Sequence, residues 1–245
     1  MPDQTVRALR RTARSVLDRA SSPIGSVLRF SGIRNAVVPT FDDGPDPAVT
    51  PALLEALADL GASATFFMLA SRVARYPEVA EQVRDAGHEI ALHGLDHRRL
   101  THLDPAAAAA SIREGKARIE DALGVTLRWY RPPYGAHELR IWRAARSLGL
   151  TIVLWGPSLH DWKDTTEEAR WPALTAARAG DILLGHDGLA DQRDGAAGGP
   201  LPPDLDRAAW ARTVLEYFQD RGWSSMTVGE AAATGKPLRG ARWTQ

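Results

Sequence analysis

The sequence predicts one α/β domain whose parallel sheet is closed or nearly closed. Two observations point there. Seven short apolar runs alternate with helical segments without an obvious linker, and chemistry-bearing residues collect just after those runs. The length agrees, since 245 residues suit one larger domain and can bury a proper core.

The apolar runs lie at 36–41 (AVVPTF), 64–69 (ATFFML), 88–92 (HEIAL), 127–130 (LRWY), 151–155 (TIVLW), 181–184 (DILL) and 224–228 (SSMTV). Short runs rich in β-branched and aromatic residues fit strands of a parallel sheet covered on both faces. Pro39, inside the first run, cannot donate to a ladder, which places it at a bulge or an unpaired edge position. Between the runs, Thr50 caps and Pro51 starts a helix that ends at Gly61, and Asp104 and Pro105 start another that ends at Gly124. A third helix spans about 138–149 and a fifth about 206–221. The fourth begins near 166–168 and meets Pro172, which predicts a kink or an interruption. Residues 187–205 are rich in Gly and Pro and lack periodicity, as a lid, a binding loop or a disordered stretch would.

Composition removes several function classes. Lys+Arg 30 against Asp+Glu 30 leaves no net charge to draw the chain onto nucleic acid. No run approaches the roughly 18–20 apolar residues of a spanning helix. The chain has no cysteine, so any metal must be held by His, Asp or Glu and any nucleophile must be oxygen-based. Residues 1–34 stand apart, with seven arginines against Asp3 and Asp18, a local charge of +5. Val6, Leu9, Ala13, Val16, Leu17 and Ala20 recur at helical spacing, so a basic amphipathic helix is expected over 3–20. It either caps the domain with a solvated face or docks, through residues 1–30, on an anionic membrane or a lipid-linked substrate. Met1 precedes a polar stretch without the apolar core of a secretory signal, so a cytoplasmic protein is expected, peripheral to the inner membrane face if the helix docks. The expected division is an extension at 1–34, the α/β domain at 35–235 and a tail at 236–245.

The chemistry sits where a parallel α/β barrel places its active site, at strand C-terminal ends. Thr40-Phe41-Asp42-Asp43-Gly44-Pro45 follows the first strand and His93-Gly94-Leu95-Asp96-His97 the third. Arg131-Pro132-Pro133-Tyr134-Gly135 follows the fourth, Asp161-Trp162 the fifth, and Leu184-Gly185-His186-Asp187 ends the sixth. His93 and His97, four apart, would share one face of a helical turn. Two imidazoles plus one carboxylate make a catalytic zinc pattern with a position left open. Asp42 and Asp43 point to opposite faces on a regular strand, but a turn at Gly44-Pro45 lets both reach one cleft, one as ligand and the other as base. Arg131, on a stiff extended segment, suits holding a carboxylate in place.

Taken in order, these clusters resemble the five motifs of the NodB-homology polysaccharide deacetylases, carbohydrate esterase family four, over about residues 36–232. The resemblance implies a distorted (β/α)7 barrel and metal-dependent hydrolysis that removes an acyl group, first of all N-acetyl, from an amino sugar or oligosaccharide. It implies Asp43, His93 and His97 as metal ligands, Asp42 as general base and His186 as general acid. Arg131 would hold Asp42, Asp161 would orient His186, the Tyr134 N–H would bind the oxyanion, and Trp162 and Leu184 would line the acyl pocket. The expected cofactor is one divalent ion, zinc first, with cobalt, nickel and manganese also accepted by this ligand set. The expected partner is an N-acylated amino sugar or oligosaccharide, lipid-linked in one version. Two other readings stay open: hydrolysis of a non-sugar amide or imide on the same barrel, and sugar binding without catalysis. The chain departs from the family at Gly94, usually Ser or Thr, and at Ser158, often Asp.

Overall fold

The computed structural model describes residues 25–197 and 203–241. The basic helix expected over 3–20 therefore lies outside the described residues, as does the end of the tail.

All seven apolar runs become strands. After β1 (Ser26–Ser31) come β2 (Ala36–Asp42), β3 (Thr65–Leu69), β4 (Glu89–Gly94) and β5 (Trp129–Tyr130). β6 (Thr151–Ile152), β7 (Ile182–His186), β8 (Ser224–Ser225) and β9 (Lys236–Gly240) complete the set. Among the described residues, β2 to β8 form one all-parallel sheet in the order β6-β5-β4-β3-β2-β7, with β8 beside the start of β2. The segment after β6 draws the two ends of the sheet together. Gly156 N–H donates to the Ile182 carbonyl (2.9 Å), Leu184 N–H to Pro157 (3.0 Å) and Leu159 N–H to Leu184 (2.8 Å). The parallel α/β architecture is as expected, with an irregular closure.

Strand alternation sorts the side chains into two layers. Val37, Phe41, Phe66, Met68, Ile90, Leu92 and Leu183 pack under the helices. Val38, Phe67, Ala91 and Ile182 meet one another inside, with Val27, Phe30 and Val153. Thr40 and Asp42 share the parity of Val38, His93 that of Ala91, and His186 that of Ile182. The inner face is thus apolar at the bottom of the sheet and reactive at its C-terminal rim.

Helices α1 (Thr50–Asp59), α2 (Ala70–Arg75), α3 (Pro77–Asp85), α4 (Pro105–Leu123), α5 (Leu139–Ser147), α6 (Glu167–Thr175), α7 (Arg207–Gln219) and α8 (Val228–Thr234) complete the elements. As expected, Asp104 caps α4, accepting from the N–H groups of Ala106 and Ala107, and Gly124 ends it at φ 64°. Four details differ from expectation. Thr50 is the first residue of α1 rather than its cap; Asp46 accepts from Ala48 and Val49 N–H instead, freeing the Thr50 hydroxyl to donate to Asp187 Oδ2 at 2.7 Å. The pair α2–α3, broken at Tyr76, occupies a stretch where no helix was expected. α6 continues through Pro172. Pro39 lies inside a central, buried strand, but β8 pairs with residues 36–37 and β3 with 40–42, so its missing N–H falls in the notch between them.

The boundaries at 34/35 and 235/236 also need correction. β1 and β9 form a two-stranded antiparallel sheet, Ser26 opposite Gly240 and Ser31 opposite Lys236. Leu154 N–H donates to the Val27 carbonyl (2.8 Å), and Val27 and Phe30 are fully buried in the inner cluster. Residues 26–31 therefore belong to the domain core. Phe30→Ala is expected to cost about 3–5 kcal/mol of unfolding free energy in a guanidinium titration; a loss below about 1 kcal/mol would make β1 a mere appendage.

Candidate active site

Asp42 closes β2 on the inner face, and a buried arginine meets it there. Arg131 is 0% exposed. Its Nη1 donates to Asp42 Oδ1 (2.6 Å) and Thr40 Oγ1 (2.8 Å), and its Nε and Nη2 to the carbonyls of Val153 (3.2 Å) and Leu154 (3.1 Å). The guanidinium lies over the Phe67 ring, 4.1 Å from its centroid. Burial pulls the Arg131 pKa down and Asp42 pulls it back up. Four acceptors and an aromatic face replace the lost water.

Asp43 is held at φ 74°, a left-handed turn that swings it back into the same cleft as Asp42. Its Oδ1 lies 3.2 Å from both His93 Nε2 and His97 Nε2. The potential ligand atoms of the three buried residues all lie within 4.8 Å of one another. His93 belongs to β4 and His97 to the bend after it, so no helical turn joins them; a strand end and a tight turn bring the ring centroids to 5.2 Å. Burial works to raise the Asp43 pKa, yet His97 and His93 hold it well below the ordinary carboxylate range. Two imidazole nitrogens and one carboxylate oxygen fit a zinc-type divalent ion.

The two departures have local causes. A Cβ at Gly94 would stand 2.5 Å from the Asp96 carbonyl oxygen, so this turn has no room for Ser or Thr. Backbone bonds brace it instead, from Ser71 N–H to Leu95 (2.9 Å) and from His97 N–H to Asp194 (2.6 Å). Ser158 accepts from His160 N–H (3.0 Å) within its own loop.

On the far side of the cleft, Asp161 binds His186 twice, through Oδ1 to Nδ1 (2.8 Å) and through Oδ2 from the backbone N–H (2.6 Å). Burial is the largest single influence on His186 and lowers its pKa. The charge and hydrogen bond of Asp161, with Asp43 and Asp42 behind, outweigh burial and raise it to about 9. Trp162 stands edge-on to His186, with ring centroids 5.2 Å apart. Tyr134 adopts φ 61° and packs its ring edge-on to His97 at 4.4 Å, while its hydroxyl accepts from Ala197 N–H (3.1 Å). A cavity of 620 Å³ is lined by Asp42, Asp43, His93, His97, Tyr134, Trp162, Leu184 and His186, among others. Of the expected site residues, Arg131 and Asp161 stand behind the lining and hold a residue that faces in.

The sequence marks 187–205 as a lid, a binding loop or a disordered stretch, but not the contacts its described part makes behind this site. The stretch from 187 to 197 is built around a turn at Gln192–Asp194 capped by Asp191, and it forms one wall of the cavity. Its Ala190 N–H donates to Asp43 Oδ2 (3.1 Å). Asp187 is fully buried, accepting from Thr50 Oγ1 (2.7 Å) and Gly44 N–H (3.2 Å), and burial pushes its pKa up to about 7. Adjacency to His186 was its only sequence signal.

A trio that could hold a metal ion, flanked by an arginine-held carboxylate and an aspartate-held imidazole at the C-terminal rim of a parallel α/β sheet, is an arrangement that suits metal-assisted hydrolysis. The family profile of polysaccharide deacetylases matches residues 32–153. The chitooligosaccharide deacetylase of Azorhizobium caulinodans is 34% identical over 212 residues, covering 83% of this chain and 97% of that protein. The peptidoglycan-N-acetylglucosamine deacetylase of Bacillus cereus is 34% identical over 194 residues, covering 78% of this chain and 85% of its own. The family 4 carbohydrate esterase of Streptomyces lividans, solved in complex with acetate, superposes with a TM-score of 0.70 at 27% identity, covering 85% of this chain and 100% of that one. The chain belongs to the polysaccharide deacetylases of the NodB-homology type, carbohydrate esterase family four. Enzymes of this family are metal-dependent, and Asp43, His93 and His97 are the residues here that could hold the ion. Among the described residues no helix is long and apolar enough to cross a membrane.

Proposed function

We propose that this deacetylase removes the N-acetyl group of an amino sugar in a short oligosaccharide, using a divalent ion, zinc first, on Asp43, His93 and His97. The observation that carries the reading is that Asp42 and His186 line one cavity with Asp43, His93 and His97, each of the two backed by a partner of opposite charge. A divalent ion bound there would supply Lewis acidity, lowering the pKa of its water to about 7 and polarising a carbonyl oxygen. Asp42 accepts a proton from the attacking water, and Arg131 fixes its carboxylate in orientation and charge. The Tyr134 N–H donates to the oxygen on which negative charge develops, a contribution of about 3–4 kcal/mol for one such donor. His186 protonates the departing amine, a gain of about 10²–10⁴-fold for general acid catalysis. Trp162 and Leu184 border the space left for the acyl methyl group.

Two relatives act, by name, on N-acetylated or peptidoglycan sugars, and a third binds acetate; these support the acetyl group and the sugar. Side-by-side assays on N-acetylglucosamine oligomers and small cyclic amides test the substrate. His186→Ala is expected to abolish turnover while leaving metal content intact, whereas His93→Ala loses the metal. Near-normal rates in His186→Ala would overturn the assignment of the acid.

The pH profile follows from the raised pKa of His186. The acid form persists up to about pH 9 and activity falls above it. Since this folded-state pKa exceeds the unfolded value of about 6.5, the stabilisation from the pair is complete below pH 6.5 and is lost as pH rises through about 9. In Asp161→Asn the largest raising influence is gone, so the alkaline limb of the rate profile should move to lower pH. An unmoved limb would remove Asp161 from this role.

The +5 charge of residues 1–34 supports a lipid-linked substrate or a peripheral contact with an anionic membrane face. The cut that tests it must spare β1. Deleting residues 1–24 is expected to abolish salt-sensitive binding to anionic liposomes and leave the domain folded; unchanged binding would refute the contact.

A further inference from the structure

Arg72 lies in α2, on no strand end and in none of the clusters that carry the chemistry, yet it is 4% exposed and makes more polar contacts than most residues of the site. Its Nε and Nη2 each lie 2.9 Å from Asp194 Oδ2. Nη2 also donates to the Leu189 carbonyl (2.7 Å) and Nη1 to Asp46 Oδ2 (3.3 Å). Asp194 is fully buried; its Oδ1 accepts from Arg75 (3.2 Å) and its Oδ2 from Asp191 N–H (3.2 Å). Gly188 lies close against this pair, since a Cβ there would meet Arg72 Nη1 at 2.6 Å. One guanidinium therefore fixes both ends of the 189–194 stretch.

That stretch makes one backbone bond to each of two residues of the ligand trio. Ala190 N–H donates to Asp43 Oδ2, leaving Oδ1 as the oxygen turned toward both histidines. Asp194 C=O accepts from His97 N–H at 2.6 Å, the shorter of the two contacts. Histidines that ligate a metal ordinarily gain their orientation from an acceptor behind the second ring nitrogen. Here Nδ1 of His93 and Nδ1 of His97 are both buried with no hydrogen-bond partner among the described residues. Among the described residues, the hydrogen bonds that hold Asp43 and His97 come from the backbone and carboxylate side.

We propose that the Arg72–Asp194 pair is the outer support of the metal site, with Arg72 and Asp194 as positioning residues that set the orientation of Asp43 and His97 through the 189–194 stretch. This rests on the reading of Asp43, His93 and His97 as the metal site. Removing the guanidinium leaves the Asp194 carboxylate buried with only Arg75 as a charged partner, and the stretch loses its hold on both ligands. Loss of such outer-shell support typically lowers metal affinity by about 10–100-fold.

The test measures Zn²⁺ affinity of the full-length protein by competition with a chromogenic chelator, with the melting temperature of the metal-free protein recorded alongside. Arg72→Met is expected to weaken Zn²⁺ binding by about 10–100-fold and to change the visible absorption of the Co²⁺-loaded protein, which reads ligand geometry. Arg72→Lys, which restores charge without the planar fork, should recover only part of the loss. Ala190→Pro deletes a single N–H aimed at Asp43, leaves the ion pair in place, and should also weaken binding. It decides the matter alone if Arg72→Met fails to fold. Wild-type Zn²⁺ affinity and an unchanged Co²⁺ spectrum in the folded variants, with only the melting temperature lowered, would make the pair a purely structural contact and overturn the proposal. A wild-type protein that takes up no Zn²⁺ would instead bring down the metal site itself, and this inference with it.

Discussion

The rim of the sheet depends on one buried charge. Arg131 places a guanidinium where no water reaches it, so every N–H it turns inward needs a protein acceptor. Those acceptors come from β2 and from the backbone just beyond β6, while its aromatic support comes from β3. A single side chain thus ties three strands at the level where the reactive groups emerge. The requirement is mutual, because Asp42 is also buried and would be unpaired without it. Replacing such a pair with hydrophobic residues is often neutral for stability, so the pair is better understood as fixing where Asp42 points.

The same logic recurs around the cavity with the charges arranged differently. At Asp42 a cation behind the cavity holds an anion that faces in. At His186 an anion behind holds an imidazole that faces in and keeps its proton. In both cases the partner behind the cavity, rather than the residue's own chemistry, decides how the facing group is held. Asp43 differs from both. Its partners are the neighbouring imidazoles, so a cation bound by all three would replace a histidine–aspartate contact with ligand bonds to the same atoms.

Much of this was legible because the reactive residues cluster at the C-terminal ends of the apolar runs. The structure adds that Asp42, His93 and His186 share the parity of the inner-facing residues Val38, Ala91 and Ile182. What escaped had no local signature. Thr50 stands at a cap-like position, but its hydroxyl is claimed by Asp187, 137 residues away. Arg72 and Asp194 are 122 residues apart and neither flanks a motif. β1 sits in a stretch whose arginines dominate its composition, and its partner β9 is exposed at Lys236, Pro237 and Leu238 and shows no alternation. Pairing across such distances is decided by tertiary packing, which no window of sequence contains.

The site is assembled from two kinds of support, and the difference has a consequence. Asp42 and His186 sit at the ends of β2 and β7, where neighbouring strands fix the backbone. Asp43 lies one residue beyond β2 and His97 three beyond β4, in bends where ladder hydrogen bonds no longer determine direction. Turns gain precision only from what packs behind them. In this chain that is the 189–194 stretch, which also forms a wall of the cavity where substrate would lie. Residues that shape the cavity wall therefore share a backbone with the groups hydrogen-bonded to Asp43 and His97. Changes of sequence in that stretch should alter the cavity wall and the contacts to Asp43 and His97 together, whereas changes at the ends of β2 and β7 would act on Asp42 and His186.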